Sequence, residues 1–275
     1  MNKIKCWFFF LIVFMCIISC NKTTTNTDAN TKLVLIYDGP GVSKTGYGYL
    51  GNAICWDSVA LNAGYKTVLL TGKEDVTPYF NKNTIWVQPG GLVFDMLDSM
   101  TDKLKQQIVA FIAAGGGYVG SCAGAYLLGE HVISRDTTGI FYAKGLGVIP
   151  DTIYDEFTNV LYSKYGEYNV FLQTDWKGFG LTDLYWWWGN YFTAKNASLP
   201  NTTILAYYPN STNILSLQTF YKKGAVILTG VHPEATLDWY KEFINPPKQP
   251  INYAKTNAVA KSMLDWAFAN NHYGE

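Results

Sequence analysis

The stretch GGYVGSCAGAY, residues 116–126, is the most informative part of the sequence for the fold. Its residues from Tyr118 to Ser121 predict a buried strand, and the small residues from Cys122 to about Leu128 predict a helix. A sharp strand-to-helix turn tolerates only small neighbours, and it places the central side chain above the sheet at a helix N-terminus. The helix dipole there favours the thiolate form of Cys122. The segment by itself is equally typical of a buried cysteine in a glycine-rich turn.

Upstream of this stretch, predicted strands alternate with predicted helices. Parallel strands need crossover connections of this length, so the pattern favours a parallel sheet with helices on both faces. The fold class is therefore α/β. The predicted strands are 32–37, 65–70 and 84–88, and the predicted helices are 50–63 and 101–114, the second of them capped by Thr101.

Beyond Gly139 the pattern changes to short, aromatic-rich strands and turns. Three runs predict an antiparallel extension that returns to the main sheet, and an amphipathic helix closes the chain. No internal repeat and no linker follow residue 31, so we expect one domain over residues 32–275. The three runs are 203–208, 214–221 and 225–229, and the closing helix is 258–270.

The composition is that of a globular protein with ample core, because 48% of the 275 residues are hydrophobic and 16% are aromatic. The 21 basic and 21 acidic residues give zero formal net charge, which disfavours a nucleic-acid-binding protein. Arg135 is the only arginine, so bidentate phosphate recognition is disfavoured as well. Three scattered histidines and the lack of a Cys-x-x-Cys pair argue against zinc, and we expect no metal and no cofactor.

The N-terminal segment predicts export. Two lysines precede an unbroken apolar run from Cys6 to Ile18, which is typical of a signal peptide over residues 1–19. The junction Ile-Ile-Ser-Cys, ending at Cys20, resembles the lipobox of bacterial lipoproteins, in which the cysteine is acylated and becomes the first residue. The polar residues 20–31 then form a tether, and the protein is anchored to a membrane of the cell envelope. An ordinary signal peptide or a signal anchor, with the cysteine there by chance, is the alternative.

A second chemically suggestive segment follows the predicted strand 225–229, where the chain reads Val-His-Pro-Glu from Val231 to Glu234. A thiol nucleophile needs a base, and a histidine just past the carboxyl end of a central strand lies where parallel sheets place their sites. Glu234 can hold the imidazole of His232 in one tautomer, as the third member of a triad does. Together with the turn at Cys122, this is a specific combination.

The order of nucleophile and His-x-Glu resembles the class I glutamine amidotransferase-like superfamily, whose members are flavodoxin-like three-layer α/β sandwiches with a Cys-His-Glu triad. More closely, four segments resemble the amidotransferase-like N-terminal domain of eukaryotic-type biotin protein ligases, a domain also found alone in bacterial proteins. They occur in the order of that family and cover about residues 33–245. The four segments are YDGPG (37–41), QPGG (88–91), GGYVGSCAGAY (116–126) and AVILTGVHPE (225–234).

The resemblance implies a role for each matching residue. Cys122 is the nucleophile, His232 the base and Glu234 its orienter, while the backbone N–H groups of Gly91 and Ala123 form the oxyanion hole. Glycine at position 91 also has a physical reason, since a side chain there would block the approach of the backbone to a tetrahedral oxyanion. The sequence after residue 245 is too short for the biotin-ligase catalytic domain, so biotinylation is not expected.

The segment YWWWGNYF, residues 185–192, departs from the family pattern, which tends to read Tyr-x-Asn-Gly-Gly before an aromatic residue. Trp187 and Trp188 stand where small or polar residues are expected. With Tyr185 they either form an aromatic platform for a sugar or a peptide, or they pack in the sheet. Cys55 also has two possible interpretations: it is an inert buried thiol or a disulfide partner of Cys122.

Two functional interpretations follow. The first is a lipid-anchored, exported cysteine hydrolase that cleaves an amide or related acyl bond of a small molecule, peptide or glycan through a thioester. No synthetase domain accompanies the site to use ammonia, which favours simple hydrolysis. The second is a non-catalytic binding module of the cell envelope, in which residues 185–192 hold a glycan or peptide without turnover.

Overall fold

The computed structural model describes residues 31–44, 50–136, 139–155, 169–242 and 251–275. The described residues belong to one compact unit, whose centre is a seven-stranded sheet.

Thirteen strands and five α-helices are present in these described ranges. The strands are β1 (Leu33–Tyr37), β2 (Lys66–Leu70), β3 (Thr84–Gln88), β4 (Gly117–Ser121), β5 (Gly129–Asp136), β6 (Gly139–Lys144), β7 (Ile149–Asp155), β8 (Asn169–Trp176), β9 (Gly180–Trp187), β10 (Asn190–Tyr191), β11 (Thr203–Tyr207), β12 (Ile214–Tyr221) and β13 (Gly224–Thr229). The helices are α1 (Asn52–Asn62), α2 (Val93–Ser99), α3 (Asp102–Ala113), α4 (Ala123–Tyr126) and α5 (Tyr253–Ala269).

The central sheet is mainly parallel. Its strand order is β11-β12-β13-β4-β3-β1-β2, with β13, β4, β3, β1 and β2 parallel and β12 antiparallel to β13. The parallel strands β1, β3, β4 and β13 are short and almost entirely buried, as expected for strands covered on both faces, whereas the edge strand β2 is partly exposed. This arrangement confirms the predicted α/β sandwich with an antiparallel extension.

Helices cover both faces of the central sheet at β4. Successive residues of a strand point to opposite faces, so Tyr118 and Gly117 show what packs on each side. On one face, the hydroxyl of Tyr118 donates a hydrogen bond to the carbonyl oxygen of Gly124 in α4 (2.6 Å). On the other face, a methyl group on Gly117 would lie 2.7 Å from the carbonyl oxygen of Ala267 in α5. The sheet therefore lies in the middle of three layers.

The pairing of β4 with β13 determines where the site lies. The two strands run parallel, and Ser121 at the end of β4 lies beside Thr229 at the end of β13. The residues that follow these strands, Cys122 and Val231 to Glu234, therefore emerge at the same edge of the sheet.

Two smaller sheets lie outside the central one. Four strands form a sheet in the order β10-β7-β5-β6, and β8 and β9 form an antiparallel hairpin. An isolated antiparallel bridge between Tyr185 in β9 and His232 joins this hairpin to the segment after β13. The aromatic segment 185–192 is thus brought next to the carboxyl edge of the parallel sheet.

The predicted signal peptide, Cys20 and the tether as far as residue 30 lie outside the described residues. Within the described residues, no helix has the length and apolar character needed to cross a bilayer.

Candidate active site

The backbone at Cys122 has the conformation of a strand-to-helix elbow. Its φ is 49° and its ψ is −116°, a region that residues other than glycine rarely occupy. The N–H of Cys122 donates to the carbonyl oxygen of Thr229 (2.8 Å), which fixes the turn to the end of β13. Cys122 is 5% exposed and lines a cavity.

The side chains of His232 and Glu234 form a buried pair. Nδ1 of His232 donates to Oε1 of Glu234 (2.9 Å), and the two residues are only 2% and 1% exposed. The backbone N–H of His232 donates to the carbonyl oxygen of Tyr185 (2.8 Å). The ring is therefore held from two sides, with Nε2 left for a reacting group.

Two residues that sequence reasoning missed support Glu234. The hydroxyl of Ser121 donates to Oε1 of Glu234 (3.2 Å), and Nε1 of Trp56 donates to the same hydroxyl (3.0 Å). Ser121 and Trp56 are both fully buried. The only sequence signal for Ser121 is its place next to Cys122, and no local pattern indicates Trp56 because the contact joins distant parts of the chain.

The charge state of His232 follows from its neighbours. Burial by itself lowers the pKa of an imidazole, but the negative charges of Glu234 and of the Cys122 thiolate outweigh it, and hydrogen bonds to both side chains act in the same direction. Together they raise the pKa of His232 to about 10. The imidazole is thus protonated at neutral pH and faces the thiol as a cation.

The two proposed oxyanion donors, Gly91 and Ala123, both line the same cavity as Cys122. Neither backbone N–H donates a hydrogen bond to a described residue. Gly91 has a φ of 148°, and a methyl group there would lie 2.0 Å from the carbonyl oxygen of Gly41. The reason for glycine therefore differs from the predicted one, because the missing side chain makes room for the neighbouring backbone and not for the oxyanion.

Gly90 is the glycine that keeps space open at the thiol and the imidazole, and sequence reasoning did not single it out. A methyl group on Gly90 would lie 2.4 Å from Cε1 of His232, 2.5 Å from Nδ2 of Asn52 and 3.1 Å from Cβ of Cys122. These three side chains therefore surround one point. The sequence signal for this position is the Gly90-Gly91 doublet after β3.

A cavity of about 550 Å³ opens over Cys122 and His232. Trp187 and Trp188 line it, and Sγ of Cys122 lies 3.7 Å from the carbonyl oxygen of Trp187. Tyr185 is buried behind the site, where its ring packs edge-on against Trp239 with the ring centroids 5.0 Å apart. Of the three predicted substrate-binding residues, only the two tryptophans face the cavity.

Cys55 is a free, fully buried thiol, and Cys122 is free as well. Burial, and then the charge of Glu234, raise the pKa of the Cys55 thiol to about 12. A thiol of that kind is chemically inert at neutral pH. In the part of the chain that the structure describes, no group of three or more His, Cys, Asp or Glu side chains could hold a metal ion.

Comparison with known proteins identifies the family and the fold of the chain. The sequence matches the family model described as "Biotin-protein ligase, N terminal" over residues 32–263. Among solved structures, it is similar to a glutamine amidotransferase with a TM-score of 0.55 and 13% identity, over 85% of this chain and 98% of the other. PurLQS from Thermotoga maritima is similar with a TM-score of 0.53 and 12% identity, over 86% of this chain and 99% of the other.

A search of curated protein sequences finds no match. At these identities, the solved structures support the fold alone, which is that of glutamine amidotransferases. The family model spans most of the chain, and so the chain belongs to the biotin-protein ligase N-terminal family.

Proposed function

We propose that this protein is a cysteine hydrolase that cleaves an amide or related acyl bond through a thioester on Cys122. The observation that carries the proposal is the buried pair of His232 and Glu234, which lies beside a cysteine elbow at the floor of a cavity. A histidine whose Nδ1 is bound to a carboxylate offers Nε2 for proton transfer. We further propose that the protein is exported and anchored to a membrane through a lipid on Cys20, as the N-terminal sequence predicts.

The first half of the reaction forms the thioester. The Cys122 thiolate attacks the carbonyl carbon, and the carbonyl π electrons move to oxygen, where the N–H groups of Gly91 and Ala123 stabilise the negative charge. The tetrahedral intermediate collapses, the C–N bond breaks, and the imidazolium of His232 gives its proton to the leaving amine. An amine and an acyl-enzyme remain.

The second half releases the acid. Neutral His232 takes a proton from water, the resulting hydroxide attacks the thioester carbon, and the same two N–H groups hold the second oxyanion. When the C–S bond breaks, sulfur leaves as a thiolate, and the imidazolium stabilises it. Glu234 holds the charged ring throughout, which agrees with the raised pKa of His232.

Thiol labelling tests the proposal directly, because the chain offers an internal control. Iodoacetamide at pH 7 should label Cys122 at least about 100-fold faster than Cys55, whose thiol is buried and uncharged. Cys122→Ala should abolish hydrolysis, while Cys55→Ala should leave it intact. Equal labelling of both cysteines, or turnover that survives in Cys122→Ala, would exclude the proposed mechanism.

A non-catalytic binding module is the second candidate function, and the position of Trp187 and Trp188 in the cavity wall favours it. In that case, substitution of Cys122 or His232 would leave ligand affinity almost unchanged. Trp188→Ala would instead weaken binding by roughly 1 to 3 kcal/mol if the ring stacks on the ligand. Affinity and turnover measured on the same variants distinguish the two functions.

A further inference from the structure

The cavity over Cys122 has an apolar wall. Eight of the described residues that line it have large apolar or aromatic side chains, and four polar residues accompany the catalytic pair. A lining of this kind binds apolar groups and leaves a few polar side chains to orient the ligand. The apolar set is Leu92, Val93, Phe94, Tyr126, Phe141, Trp187, Trp188 and Trp239, and the polar set is Ser43, Asn52, Asp95 and Ser134.

The charges around the cavity do not suit a free amino acid. No lysine or arginine is among the described lining residues, and Asp95, in the first turn of α2, supplies a negative charge. Free glutamine would bring its α-carboxylate against an aromatic wall where the only cation among the described lining residues, the imidazolium of His232, is already paired with Glu234, and this is costly in a partly dehydrated site. A ligand without a carboxylate meets no such cost.

Asn52 supplies a group that a neutral amide could use. It is 1% exposed, and its Oδ1 has no hydrogen-bond partner among the described residues. Its Nδ2 borders the same point in front of Gly90 as Cε1 of His232 and Cβ of Cys122. A buried amide oxygen without a partner is unfavourable, and a ligand that donates a hydrogen bond to it removes that cost.

We propose that the site takes a neutral carboxamide attached to an aromatic or bulky apolar group, with the apolar group against the tryptophan wall and the carboxamide held by Asn52. This inference rests on the proposed hydrolase function for its chemistry, whereas the ligand class follows from the cavity wall and from Asn52. The proposed ligand class differs from that of a site for free glutamine, which carries a charged amino-acid group.

Two amides of matched length test the ligand class. Glutamine and 3-phenylpropanamide share the carboxamide and a two-carbon spacer, and differ in carrying an amino-acid head or a phenyl ring. We expect kcat/KM for ammonia release from 3-phenylpropanamide to exceed that from glutamine by at least about 30-fold, as burial of a phenyl ring would give. Equal rates, or a preference for glutamine, would overturn the proposal.

Binding to Cys122→Ala separates this inference from the proposed function, because that variant binds without turnover. Calorimetry should give tighter binding of 3-phenylpropanamide than of glutamine. If that preference holds while the wild-type protein hydrolyses neither amide, the hydrolase proposal fails and the ligand class stands. If neither amide binds at millimolar concentration, the ligand class is wrong.

Two variants and one control, all in the Cys122→Ala background, test which side chain contacts each half of the ligand. Trp188→Ala should weaken binding of 3-phenylpropanamide about 10-fold and change glutamine binding little, whereas Tyr207→Ala, an exposed aromatic outside the cavity wall, should change neither. Asn52→Leu, which keeps the branched side-chain shape but removes both polar groups, should weaken both amides alike because they share the carboxamide. Unchanged binding of both amides to a folded Asn52→Leu variant would exclude Asn52 from recognition.

Discussion

His232 carries the proton on which the proposed chemistry depends. Its pKa of about 10 lies above the value of about 6.5 for a free histidine, so the imidazolium persists through neutral pH. Above pH 10 the ring becomes neutral, and it can neither protonate the leaving amine nor stabilise the thiolate. We expect kcat/KM to fall on the alkaline side with a midpoint near pH 10.

The variant Glu234→Gln tests the cause of that midpoint. It keeps a hydrogen-bonding side chain but removes the charge that raises the pKa, and the burial that lowers it remains. The alkaline midpoint should therefore move to lower pH, and a pH–rate profile measures the shift. An unchanged midpoint would mean that another group controls the alkaline limb.

Gly90 and Gly91 are adjacent, but they should respond to alanine in different ways. In Gly90→Ala the new methyl group meets the His232 ring, the Asn52 amide and Cβ of Cys122, so we expect a loss of about 100-fold in kcat/KM. In Gly91→Ala it meets the backbone of Gly41, so the main loss should be in stability. Thermal melts and kinetics on both variants check the contrast, which full activity in Gly90→Ala would contradict.

Sequence patterns are informative about the position of residues that follow a strand end. Cys122, His232 and Glu234 are predictable because each lies within a few residues of the carboxyl end of a buried strand. Asn52, Ser121 and Trp56 are not, because their contacts with the site cross long stretches of chain; the hydroxyl of Ser121 meets Glu234 113 residues away. Side-chain contacts of that kind leave no local pattern.

Among the elements, the short turn between β4 and α4 combines function with strain. The sequence predicts a helix to about residue 128, whereas α4 ends at Tyr126. The strands β1 to β4 lie within about one residue of their predicted bounds, since continuous apolar runs bounded by turns mark buried strands.

Helix α5 begins five residues earlier than predicted, where Asn252 accepts a hydrogen bond from the N–H of Lys255 (3.1 Å) and caps it. The strands β5 to β9 have mixed burial and no clear period, so no bounds were predicted for them.

The strain at this turn can be measured in the free energy of unfolding. Cys122 keeps a φ of 49° that alanine would also have to adopt, whereas glycine adopts such angles readily. We expect Cys122→Gly to be more stable than Cys122→Ala by about 1 kcal/mol, the relief of strain being larger than the entropic cost of glycine. Urea denaturation compares the two inactive variants, and a less stable glycine variant would show that the turn is unstrained.

At the scale of the whole molecule, two different parts of the chain build the site. The parallel sheet supplies Cys122, His232 and Glu234 at its carboxyl edge, while much of the apolar wall comes from α2, β6 and the end of β9. The three residues proposed for catalysis thus lie on the parallel sheet, whose strands are the easiest elements to predict from sequence. The wall depends on how separate elements meet, and contacts of that kind leave no local sequence pattern.

The proposed membrane anchor belongs to this scale as well, and a pair of cysteines tests it. Expressed in a bacterial host, the wild-type protein should be found in the membrane fraction with an acyl mass on a mature N-terminus at Cys20, because two or three acyl chains hold a protein stably on a bilayer. Cys20→Ala should release the protein or block its processing. Cys16→Ala, four residues earlier in the apolar run, should leave both unchanged. If the Cys20→Ala variant stays in the membrane fraction with an unaltered N-terminal mass, the cysteine carries no lipid and the apolar run itself holds the protein there.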